Sequence, residues 1–216
     1  MRSTNPDPGN LWLARILWDS GAVQFGKFDL GVTLASPIYV NVRRVISNPR
    51  ALRRIGQLIA EETRTLAGML RPHIQPFELV AGVPMGGLHI ATAFSLTADV
   101  PLIYPQPRAR AHDLYEEIEG VYYPGQSVLV VDDLITGGRS AVETAEVLRA
   151  AGLRVSDVVV LLDRQAGGRD RLQAAGLTLH PLLSLEVLLN YLVSREFINQ
   201  AHYAKCMAYI EQTGGA

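Results

Sequence analysis

With a single cysteine, Cys206, among 216 residues, the chain cannot form an internal disulfide, which excludes a disulfide-stapled secreted scaffold. It has no apolar run approaching the roughly 20 residues that a spanning helix needs, so no membrane passage is expected. The opening MRSTNPDPGN is polar where a secretory signal would be apolar, and the expected compartment is the cytoplasm. Charge of either sign is not in excess: 20 Lys plus Arg stand against 21 Asp plus Glu, a formal net charge of −1. No whole-chain field therefore draws it to nucleic acid or an anionic membrane, and any anion site must be local. His73, His89, His180 and His202 show none of the spacings of a zinc site. Internal repeats, low-complexity tracts and linker-like shifts in composition are also missing, which points to a single domain over 1–216.

What is present is a chain with 48% apolar residues, enough to fill the core of one α/β domain. Residues 11–19 and 50–67 carry apolar side chains at helical spacing, the second run after the start signal Asn48-Pro49. Trp12 and Trp18 fall on the first of these helices, as core or dimer packing. Short β-branched runs at 78–82, 100–104, 127–131 and 157–162 have the length of buried strands, and helical stretches at 87–97, 140–151 and 169–175 alternate with them. Residues 184–194 and 195–211 predict C-terminal helices. Such alternation with right-handed crossovers predicts a mainly parallel sheet flanked by helices, with ligands at the C-terminal ends of the strands.

One segment carries most of the chemistry. Val128-Leu129-Val130-Val131 leads into Asp132-Asp133, then Leu134-Ile135, then Thr136-Gly137-Gly138-Arg139-Ser140 and a helix-like run. Two adjacent carboxylates at the end of a buried strand cost several kcal/mol unless they meet hydroxyls, cations or water, and a ribose diol supplies such partners. Gly137 and Gly138 let successive backbone N–H groups face one anion while the next helix adds its dipole, which suits a monophosphate. A Walker loop would need a lysine after the glycines, and none follows. TGGRS alone is a weak signal, since strand, Gly-rich turn and helix recur in many α/β proteins. The complete run, however, resembles the signature with which type I phosphoribosyltransferases bind 5-phosphoribosyl 1-diphosphate (PRPP).

The resemblance extends over about 25–195. Residues 25–50, FGKFDLGVTLASPIYVNVRRVISNPR, are similar to the N-terminal stretch of orotate phosphoribosyltransferases, Leu162-Asp163-Arg164-Gln165 with Gly167-Gly168 to their strand-end motif, and Ala81 to Gly87 to the diphosphate loop. It implies the type I fold with a small N-terminal hood. It divides the chain into a base-side segment (1–48), a PRPP-binding core (49–183) and C-terminal helices (184–216). By the same resemblance, Asp132 and Asp133 hold the ribose hydroxyls directly or through Mg²⁺. Thr136, Gly137, Gly138, Arg139 and Ser140 cradle the 5-phosphate, and Met85 and Gly86 lie at the diphosphate. Arg164 and Thr136, with backbone groups of Tyr39 and Val40, meet orotate; Tyr39 also reads as plain core, and Arg164 as a surface ion pair with a nearby acid. The polar stretch 105–119 matches a catalytic loop, with Arg110 and His112 on its cations and Arg108 shifted by one place. Arg139 stands where a Ser or Thr is usual, and its side chain either adds a cation or points to water.

The implied activity is transfer of phosphoribosyl from PRPP to orotate, with Mg²⁺ carried by PRPP rather than by direct protein ligands, in a cytoplasmic homodimer. Departures stand against orotate in particular. Gly31-Val32-Thr33 replaces a Lys-Ser-Gly, Gly86 replaces a frequent lysine, and the 105–119 loop has no lysine. The alternatives are a type I enzyme for another nucleobase and a non-catalytic PRPP-binding regulator. The latter is disfavoured by the balanced charge and the lack of an added helix-turn-helix segment.

Overall fold

The computed structural model describes residues 10–30, 33–106 and 117–214. The chain opens with α1 (Leu11–Asp19), β1 (Val23–Leu30), β2 (Thr33–Val40) and a 3₁₀ helix (Val42–Ser47), followed by α2 (Pro49–Ala67). The core then runs β3 (Leu79–Gly82), α3 (Gly86–Ala98), β4 (Leu102–Pro105), β5 (Ile118–Glu119), β6 (Ser127–Ile135), α4 (Arg139–Ala150), β7 (Arg154–Asp163), α5 (Gly168–Ala174) and β8 (Thr178–Ser184). Two helices close the chain, α6 (Leu185–Ser194) and α7 (Gln200–Gly214).

The start of α2 follows the sequence signal. Asn48 is extended, its side-chain oxygen accepts the Ala51 N–H at 3.1 Å, and Pro49 sits in the first turn, where its missing N–H leaves nothing unpaired. The main sheet has the order β5-β4-β3-β6-β7-β8. Every neighbouring pair is parallel except β4 with β5. Successive residues of β6 serve opposite faces, as the period of two requires. Leu129 and Val131 join one apolar cluster with Ile90 and Phe94 of α3, and Val128 and Val130 join a second with Ala145 and Leu148 of α4. Two buried layers therefore clamp the central strands, and the alternation read from the sequence is the observed architecture.

Several elements differ from the sequence expectation. Strand β6 does not stop at Val131 but runs through both aspartates to Ile135, because Asp132, Leu134 and Ile135 still pair with Val160, Leu162 and Asp163 of β7. The final helix begins at Gln200 rather than 195. Strand β8 was not expected, since Pro181 and His180 interrupt its apolar pattern; it is an edge strand, where proline is tolerated. The hood is an antiparallel hairpin of β1 and β2 with register breaks near Phe28, a shape that glycines and Pro37 obscure in the sequence.

At the N-terminal end of β7, the buried Asp157 accepts from His180 Nε2 at 2.7 Å, from Gln75 N–H at 3.1 Å and from Ser156 Oγ at 2.9 Å. This pins the connection before β3 to the far end of the sheet from the strand C-termini. Trp18 stacks on Phe197 at 5.4 Å, so its role is packing between α1 and the C-terminal region. Among the described residues, no helix is long and apolar enough to cross a membrane.

Candidate active site

The C-terminal ends of β3, β6 and β7 converge because these strands are parallel neighbours, with Gly82 in register with Val131 and Ile135 with Asp163. Beyond β6 the chain turns at Thr136 to Gly138 and enters α4. Gly138 has φ +75°, and a Cβ there would lie 2.7 Å from Leu172 Cδ1 and 3.0 Å from Gly168 O, so both conformation and packing demand glycine. Space is open around Gly137, where nothing lies within 4 Å of the Cβ position. No side chain caps α4, which leaves its first N–H groups facing the turn. An open glycine turn with a bare helix N-terminus of twelve residues can receive an oxyanion through backbone N–H groups. Arg139 does not aim its guanidinium there. It is exposed and pairs with Glu143 at 2.7 Å, so its backbone alone can serve the turn.

The two aspartates sit beside this turn. Asp132 is 8% exposed, and its Oδ1 accepts the Asp133 N–H at 2.8 Å. Burial, and after it the charge of Asp133, pushes the Asp132 carboxyl well above the usual carboxylate range. Burial also raises Asp133, while Asp132 as a hydrogen-bond partner and the charge of Arg43 pull it back in part. Arg43 lies on the exposed side of the 3₁₀ helix. It is a cation of this site that the sequence reading did not single out, because its place depends on how that helix packs against β6 and α3.

Gly86, at the start of α3, explains itself by contact. A Cβ there would lie 2.5 Å from Asp133 Cγ and Oδ1 and 2.6 Å from its Oδ2. The carboxylate of Asp133 thus fills the space that any side chain at 86 would take. The neighbouring Met85 is exposed, 58%, at the mouth of the same loop.

Arg164 follows β7 and is buried, 5% exposed. Its Nη2 donates to Ser36 Oγ at 3.1 Å and to Ile38 O at 3.4 Å, joining the strand ends to the hood hairpin across more than a hundred residues of sequence. Its backbone N–H donates to Ile135 O at 2.9 Å, so the guanidinium and the glycine turn share one frame. No acidic partner meets it among the described residues, which sets aside the alternative of a surface ion pair. Burial lowers its pKa from the ordinary arginine value. Tyr39 packs its ring on Phe28 at 5.6 Å, and Val40 is buried, both on the hairpin that Arg164 holds. Gln165, at φ +56°, accepts the Glu186 N–H at 2.9 Å and ties the strand end to α6.

The site residues expected at Arg108, Arg110 and His112 lie outside the described residues, as does Gly31. The segment that holds the three leaves β4 at Gln106 and returns at Glu117, where Gln106 N–H donates to Glu117 O at 2.9 Å. Gln106 lies just beyond the C-terminal end of β4, on the side of the sheet where the parallel strands β3 and β6 also end. Among the described residues, no three His, Cys, Asp or Glu side chains cluster as a metal cage.

Comparison with known proteins agrees with this arrangement. The family described as the phosphoribosyl transferase domain matches residues 42–175. The orotate phosphoribosyltransferase of Pyrococcus abyssi is 35% identical over 79% of this chain and 90% of its own length. The uridine 5'-monophosphate synthase of Bos taurus is 34% identical over 91% of this chain, which spans 39% of that protein. Among solved structures, Leishmania donovani UMP synthase is similar with a TM-score of 0.81 and 36% identity, covering 93% of this chain and 42% of that one. The chain spans less than half the length of both synthases.

Proposed function

This chain belongs to the type I phosphoribosyltransferase family, and we propose that it transfers the phosphoribosyl group of PRPP to a ring nitrogen of orotate, giving orotidine 5-phosphate and diphosphate. The place of this reaction is pyrimidine nucleotide biosynthesis. The observation that carries the reading is the pairing of a bare glycine turn with a buried arginine that has no acidic partner among the described residues. A guanidinium in that state calls for an anion, and the carboxylate of orotate is one. The loss of lysine at position 86 weighs less, because Asp133 occupies the space beside Gly86.

In this reading Thr136 to Ser140 take the 5-phosphate, Asp132 and Asp133 take the ribose hydroxyls, and the Met85–Gly86 loop lies along the diphosphate. Arg164, with Thr136 and the backbone of Tyr39 and Val40, places the base. The ribose passes through an oxocarbenium-like state, so the protein's work is to fix the nitrogen in line with C1, stabilise the departing diphosphate and keep water out. Arg108, Arg110 and His112 supply cations to the diphosphate from the 105–119 loop.

Mg²⁺ fits the carboxylates. Both are hard oxygen donors that burial has pushed towards the neutral form, and a cation beside them reverses that shift. When bound through PRPP oxygens, the ion neutralises charge on the diphosphate. The proposal includes a cytoplasmic homodimer in which the 105–119 loop closes over the neighbouring subunit's site. Residues 1–48 form its base side, 49–183 its PRPP core and 184–216 its C-terminal helices.

The test is PRPP consumption with Mg²⁺ and orotate, uracil, hypoxanthine or adenine side by side. Turnover with orotate alone is expected. Turnover with another base instead assigns the chain to that base, and PRPP binding without turnover makes it a regulator.

A further inference from the structure

The buried end of Arg164 holds more than its two bonds to the hairpin. The Nε atom is buried and has no hydrogen-bond partner among the described residues, although a guanidinium always carries a proton there. A second buried polar atom in the same condition is the hydroxyl of Tyr209, on α7. Helix α7 packs against β2, the strand whose Ser36 and Ile38 already hold the other side of the guanidinium. Burial lowers the Arg164 pKa and Tyr209 acts in the opposite direction, while neither the Nε nor the hydroxyl has a hydrogen-bond partner among the described residues.

We propose that Tyr209 is a positioning residue for base recognition: its hydroxyl oxygen takes the Arg164 Nε–H, and so fixes the plane in which the guanidinium meets the carboxylate of the base. The inference rests on the orotate reading above and adds to it a determinant from the C-terminal helix. One partner is an obligate donor and the other a hydroxyl that accepts, and each lacks a partner, so a small rotation of the phenol satisfies both. The arrangement leaves the guanidinium clamped from two sides, by β2 at Nη2 and by α7 at Nε. An arginine held on one side only is free to turn about its last bonds, and the N–H groups of Nη1, which remain for the base, turn with it. Tyr209 touches neither PRPP nor the reacting atoms in this account, so its removal acts on the base and not on the sugar phosphate.

The substitution Tyr209→Phe keeps the ring and its packing and deletes the hydroxyl. Expected is a rise of about tenfold in the KM for orotate, the KM for PRPP staying at its parental value, because one charged hydrogen bond is lost on the base side. In parallel, nitrogen-15 labelling of arginine reports the exchange of the Arg164 Nε–H with water. That proton should exchange faster in the phenylalanine protein, which a packing defect elsewhere would not produce. The parental protein decides the underlying reading separately, since failure to turn over orotate overturns that reading and with it this role of Tyr209. Given orotate turnover by the parent, an unchanged orotate KM in Tyr209→Phe overturns the inference whatever the exchange shows. Equal rises in both KM values overturn it too, by marking a general loss of structure.

Discussion

Replacing Gly86 with alanine tests how closely the loop before α3 is fitted to the aspartate pair. The added Cβ would stand 2.5 Å from Asp133 Cγ and Oδ1. Ordinary contact begins at about 3.5 Å, so the carboxylate must retreat by about 1 Å. Gly86 does not occupy the left-handed region, and backbone strain adds nothing to the effect. Asp133 is only half-buried, so its side chain can rotate away without opening the core, and thermal unfolding should move by no more than a few degrees. Function should suffer far more. A displacement of this size at a positioned group costs on the order of 10²-fold in kcat/KM, equivalent to ~2.7 kcal/mol. Calorimetry of PRPP·Mg²⁺ binding and steady-state kinetics read it directly. Lysine at the same position meets the same carboxylate and should not raise activity. An alanine protein that binds PRPP and turns over as the parent does would refute the assignment of Asp133 to the ligand, or its place against Gly86.

Other consequences follow from the charges. The folded-state pKa of Asp132 lies above its unfolded value, so what it contributes to stability is present below about pH 4 and lost as pH rises through the raised value. Asp132→Asn should therefore raise the Tm of the ligand-free protein at pH 7.5, the gain shrinking towards pH 4; a lower Tm at neutral pH contradicts this. Arg164→Ala should cost roughly 1.5–3 kcal/mol in kcat/KM for orotate, with a much smaller change in the KM for PRPP. Equal effects on the two substrates would move Arg164 out of the base pocket. At the far end of the sheet, burial raises the Asp157 carboxyl, but bonds from His180, Gln75 and Ser156 outweigh it and hold the pKa below the usual range. Its contribution is thus present above about pH 4 and lost as pH falls through the depressed value. Asp157→Asn should cost ~1–3 kcal/mol of stability at neutral pH and leave kcat/KM unchanged; a kinetic defect without a stability loss would show that this end of the sheet reaches the site.

The central motif was legible because its parts are contiguous. Residues 128–140 carry strand, carboxylates, glycine turn and helix start in one run, and local chemistry dictates each part. The strand alternation was legible for the same reason, since buried parallel strands are continuous β-branched runs. What the sequence hid depends on pairing at a distance. The extension of β6 through Asp132 and Asp133 rests on its register with β7, and β8 looks broken until Pro181 is placed on an edge. Arg164 could be read as base-binding only by resemblance, because its burial against Ser36 and Ile38 joins residues 126 and 128 positions apart. The contact between Gly86 and Asp133, the charge of Arg43 beside Asp133 and the approach of Tyr209 to Arg164 have no local signal at all. Each comes from the packing of a helix or turn onto a strand end.

The most direct test of the account is calorimetric binding of PRPP·Mg²⁺ to the parent chain and to the Asp132→Asn, Asp133→Asn double variant, with circular dichroism to confirm that both are folded. The parent should bind PRPP·Mg²⁺ tightly. The folded double variant should show no tight binding. Parental affinity in that variant would contradict the claim that the strand-end aspartates and the turn after them form the PRPP site.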